Sequence, residues 1–95
     1  MDKRIGVIGI VIEDLSQIAE VNNLLHQYSH IIIGRMGIPY RERKINVISL
    51  IVDGTNDDIG ALSGKLGKVK GISVKSALSK KYWLEARWKN LVFAW

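Results

Sequence analysis

The 95-residue chain has no cysteine, a single proline and a single phenylalanine, and these scarcities narrow what it can be. Without cysteine there are no disulfides, no thiolate metal ligands and no thiol nucleophile, a pattern that fits a reducing cytosol. No apolar run reaches the ~18 residues of a membrane span. Met1-Asp2-Lys3-Arg4 leads directly into strand-like sequence with no small-residue cleavage site. The expectation is a cytoplasmic chain with no transmembrane segment. Acidic residues are also few, 9 against 14 Lys and Arg, for a net charge of +5. Location matters more than total: the body is nearly balanced, and much of the excess lies in the last 17 residues, where Lys80, Lys81, Arg87 and Lys89 face only Glu85.

What is present is β-branched and aliphatic. Residues 4–12, RIGVIGIVI, read as a first strand with apolar residues at both parities. Asp14 or Ser16 can cap a helix whose apolar stripe is Ile18, Val21, Leu24, Leu25 and Tyr28. Ile31–Ile38 return to strand character, with Pro39 ending the run or marking an edge. The polar RERK at 41–44 makes a turn, and INVISLIV at 45–52 a third strand. Asp53-Gly54 then reads as a turn. Thr55 followed by Asp58 resembles a capping box for a second helix, striped by Ile59, Leu62 and Leu66 and ending near Gly67. Ile72–Leu78 alternate as an edge strand.

The order βαββαβ predicts an α+β, ferredoxin-like sandwich: a four-stranded antiparallel sheet, first and third strands central, both helices on one face. The expected division is a regulatory domain over residues 1–79 and an aromatic, basic extension over 80–95. In that extension Leu84, Trp88, Leu91, Val92 and Trp95 share a helical face. Apolar residues at both parities of the central strands, Val7 and Val11 beside Ile8 and Ile10, require a cover on the second sheet face. The candidates are another subunit or the extension itself.

Chemistry is sparse. Glu13 and Asp14 are adjacent and point apart on a strand end, while Asp57 and Asp58 open a helix. His26 and His30 are four apart, the spacing that puts two imidazoles on one helix face. They are the one pair with metal-type spacing, and zinc would need carboxylates or the same histidines from another subunit. The glycines fit neither a dinucleotide fingerprint nor a P-loop, and Gly60 and Gly64 read as a smooth patch for close helix packing against the sheet or another helix. The central strands lack base-stacking aromatics, so direct DNA binding would fall to the basic extension or RERK. The least generic stretch is GRMGIPY, 34–40. Its glycines permit close backbone approach, and Arg35 and Tyr40 offer a cationic fork and a phenol for a carboxylate or phosphate. The candidate ligand-binding or interface residues are therefore Arg35, Met36, Gly37, Tyr40, Gly60 and Gly64. No catalytic residue and no cofactor is expected.

The stretches LLHQYSHIIIGRMGIPY (24–40) and INVISLIVDGTNDDIGALSGKLGKVKGISVKSAL (45–78) resemble the small bacterial proteins called iron-only hydrogenase system regulators. That family's fold is similar to the ACT domain and to the C-terminal domain of the nickel-responsive repressor. The resemblance implies a homo-oligomer, dimer or tetramer, with a small-molecule effector at subunit interfaces and a role in transcription regulation rather than catalysis. Two departures stand against importing the ligands: the repressor's nickel site uses a cysteine, and the ACT effector loop usually carries a glycine where this chain has Glu13-Asp14-Leu15-Ser16.

Overall fold

The structure, a computed structural model, describes residues 3–80. The elements are β1 (Lys3–Ile12), α1 (Ile18–Gln27), β2 (Ile32–Tyr40), β3 (Ile45–Thr55), α2 (Asn56–Gly67) and β4 (Ile72–Leu78). The strands form one sheet in the order β2-β3-β1-β4, every neighbour antiparallel. The expected ferredoxin-like arrangement is what the chain adopts. The readings attached to residues 81–95, among them a helix on that segment, DNA contact through it and its use as a cover, lie outside the described residues.

Local chemistry starts and stops the helices where the sequence implies. Asp14 caps a short 3-10 turn, Leu15–Gln17, that feeds α1: its Oδ1 accepts from the Ser16 amide at 3.0 Å and from the Ser16 hydroxyl at 2.6 Å. Thr55 Oγ1 caps α2 by accepting from the Asp58 amide at 3.1 Å. Asp57 and Asp58 sit in its first turn, where the helix dipole favours negative charge. Between β2 and β3 the RERK segment makes a 3-10 turn, closed by Lys44 in the left-handed region at φ 54°.

The core lies between the helices and one face of the sheet. Ile8, Ile10 and Ile12 of β1 and Leu50 and Val52 of β3 are fully buried. They meet Val21, Leu24 and Leu25 of α1 and Ile59, Leu62 and Leu66 of α2. Burying each side chain of this size stabilises the fold by about 1.5–3 kcal/mol, so this layer carries most of the stability.

Two expectations are corrected. Asp53-Gly54 is not a turn: both residues remain in β3, opposite Ile5 and Arg4. Gly54 is small because Ile31 packs on it, and an added Cβ would lie 2.9 Å from Ile31 Cγ2. Nor do Gly60 and Gly64 pack against the sheet. Both are exposed on α2, and a Cβ at either meets nothing within 4 Å, because Ile59, Leu62 and Leu66 already hold the sheet-facing stripe.

Candidate functional site

Strand alternation sends the remaining apolar residues to the opposite, outer face. In β1 these are Ile5, Val7 and Val11; in β3, Ile45, Val47 and Ile51. The pairing register aligns them across the sheet, Val7 opposite Ile51 and Val11 opposite Val47. Met36, Ile38 and Tyr40 of β2 extend the same face, opposite Ser49, Val47 and Ile45. Much of it is open: Ile5 is 55 %, Met36 63 % and Ile38 53 % exposed. Gly9 pairs with Ser49 in its middle, leaving a shallow trough between the Val7–Ile51 and Val11–Val47 ridges. Along β4 the face turns polar at Ser73 and Lys75.

A second feature lies on the helix side, at the β2 edge. The β2–β3 register slips between Ile32 and Gly34, so Ile33 is the extra residue of a β-bulge. In an unbroken strand continuing from Ile32, residue 35 would point to the outer face. The slip instead pairs Arg35 with Leu50, a core-facing position, and turns its side chain toward α1. There Arg35 Nη2 donates to Asn22 Oδ1 at 3.1 Å. Asn22, His26 and Ser29 line one side of the resulting cleft, with Arg35 opposite and Leu25 and Ile32 contributing apolar walls; its volume is about 320 Å³.

The candidate residues are thus sorted rather than gathered. Arg35 and Gly37 lie on the helix side of β2, Met36 and Tyr40 on the outer face, and Gly60 and Gly64 on the solvent side of α2. Within one chain Arg35 and Tyr40 do not converge. The Tyr40 hydroxyl donates instead to Glu42 Oε2 at 3.4 Å. The two histidines also part, because α1 ends at Gln27 and its spacing does not reach His30. His26 lines the Arg35 cleft, whereas His30 stacks with Tyr28 and places Nε2 3.9 Å from Asp58 Oδ2. Among the described residues no group of three or more metal-ligating side chains comes together.

Asn22 and Ser29 were not among the candidates. Asn22 lies four residues before His26 on α1, a spacing that helical periodicity could have exposed; Ser29 lies past the end of α1, in the 3-10 turn Ser29–Ile31.

The profile of a protein family described as "Iron-only hydrogenase system regulator, putative", TM1266-like, matches residues 4–76. Among solved structures, TM1266 from Thermotoga maritima is 41% identical with a TM-score of 0.79, over 83% of this chain and 100% of that one. The ACT domain of the GTP pyrophosphokinase of Chlorobium tepidum is 22% identical, TM-score 0.67, over 79% of this chain and 99% of that domain. The C-terminal domain of the MgtC protein from Mycobacterium tuberculosis shares the fold at 11% identity and TM-score 0.64, over 80% and 87%. No curated protein matches the chain significantly.

Proposed function

The chain belongs to the TM1266-like family of iron-only hydrogenase system regulators, and from that premise we propose that it is a non-enzymatic regulatory module that works as a homo-oligomer and answers a small effector. The observation that carries this reading is the outer face of the sheet. Seven of the large hydrophobic side chains left exposed by the fold, Ile5, Val7, Met36, Ile38, Tyr40, Val47 and Ile51, occupy it together. Scattered apolar residues need no explanation, but a continuous face of them marks an interface.

The occupant this reading commits to is a second copy of the chain. Four strands ~4.8 Å apart and about seven residues long at ~3.3 Å each cover on the order of 400 Å² in projection. The relief of the side chains raises that toward the ~800 Å² per partner of a standard interface. The polar border at Ser73 and Lys75 supplies a rim.

Two acidic residues have structural roles: the Asp14 carboxylate caps the turn before α1, and Asp58, in the first turn of α2, faces His30.

Sedimentation velocity on the full-length chain tests the reading. A dimer or larger assembly at micromolar concentration is the expected result. A monomer throughout that range would sink it.

A further inference from the structure

We propose that the cleft between α1 and β2 is the effector site and that it takes a small carboxylate carried on a short apolar body. This rests on the effector-binding reading above and adds the place and the chemistry. The first argument is the composition of the walls. Arg35, His26, Asn22 and Ser29 offer hydrogen-bond donors, and among the described residues no carboxylate lines the cleft. Among the described residues Arg35 meets only a neutral amide oxygen there, and its planar fork remains suited to bidentate capture of a carboxylate.

The hollow between the start of α1 and the end of α2 shows the contrast. It is larger, about 470 Å³, but its lysines, Lys65, Lys68 and Lys70, share it with Glu20. Its lysines are point charges on flexible stems and lack the planar fork that Arg35 presents to a carboxylate.

The second argument is the bulge. An extra residue at Ile33 costs β2 a regular ladder, and its effect is to swing Arg35 from the outer face to the α1 side. The third is the floor. Leu25 is buried and Ile32 half-buried, so a ligand with a branched hydrocarbon end gains apolar contact there. At about 320 Å³ the cleft lies at the small end of ligand sites.

The test is a titration of the full-length chain with sodium isovalerate, acetate and inorganic phosphate at constant ionic strength, followed by amide NMR shifts. Saturable shifts around Asn22, His26 and Arg35 are expected, tightest for isovalerate. Arg35→Gln should weaken isovalerate at least tenfold, His26→Ala by a smaller factor, and Arg41→Gln, in the exposed turn after β2, not at all. No saturable shift with isovalerate, or unchanged affinity in Arg35→Gln, overturns the site. Phosphate binding more tightly than isovalerate overturns the carboxylate assignment. Sedimentation of the same samples separates the two proposals: assembly without carboxylate binding removes the cleft alone, and binding by a monomer removes the oligomer alone.

Discussion

The two faces of the sheet are built from the same aliphatic residues and meet opposite surroundings. On the inner face Ile8, Ile10, Leu50 and Val52 are sealed under α1 and α2; one residue along each strand, Val7, Val11, Val47 and Ile51 look outward, with no helix of the described residues above them. Hydrophobicity alone does not distinguish the two sets. What separates them is topology: among the described residues there are two helices, and both lie on the same side of the four-stranded sheet. Among the described residues the outer face is therefore apolar by composition and uncovered by topology, and the combination points to a function that the inner face does not have.

Substitutions can break that contrast, and their effects should descend in size. Leu62→Ala, at a fully buried position, should cost about 2–5 kcal/mol by chemical denaturation, because it leaves a cavity. Ile51→Lys, on the outer face, should instead leave the fold intact and disperse the assembly, read as a fall to monomer mass by sedimentation; unfolding to the same degree as Leu62→Ala would mean the faces are equivalent. Gly71→Ala tests what joins the layers at one end. Gly71 has φ +75°, a Cβ would fall on Asp14, and its carbonyl accepts from the Glu13 and Asp14 amides at 2.7 and 3.1 Å. A loss of about 1–3 kcal/mol is expected. Gly60→Ala should do the reverse: with open space around it, a gain of about 0.5–1 kcal/mol in thermal or chemical unfolding is expected from helix propensity.

The smallest effect is a dependence on pH. The Ser16 hydroxyl and then the Ser16 amide hold the Asp14 carboxyl below its ordinary 3.8. Since the folded-state value is the depressed one, the stabilisation is complete above the unfolded value and is lost as pH falls through the folded one. Acid unfolding curves of the wild-type chain and Asp14→Asn should therefore converge below pH 3.8; a gap that widened there would contradict the cap.

Much of this architecture is legible in the sequence because it rests on periodicity. The aliphatic runs of β1 and β3, the stripe of α1, the Thr55 cap and the place of Pro39 on an edge strand all follow from spacing and side-chain chemistry. The candidate site is less legible, because a strand assigns faces by counting and one extra residue reverses the count. Nothing in Ile31-Ile32-Ile33 announces which isoleucine is supernumerary, so the side of the sheet that receives Arg35 cannot be read from the string. Gly54 misleads for a related reason: Asp-Gly is strong turn chemistry, yet here the missing side chain makes room for Ile31, a contact between residues 23 apart in sequence.

The open edge of β2 also governs how the protein behaves in bulk. One end of that edge is bent by the bulge at Ile33, and near the other Pro39 has no amide hydrogen to offer. A foreign strand finds only the short stretch between them in regular geometry, which is how natural sheets discourage strand-by-strand growth. With an apolar face beside it, this edge would otherwise be a template for fibres. Concentrated solutions should instead hold particles of finite, reproducible size, free of thioflavin-positive material, and Pro39→Val together with removal of Ile33 should be the shortest route to losing that restraint.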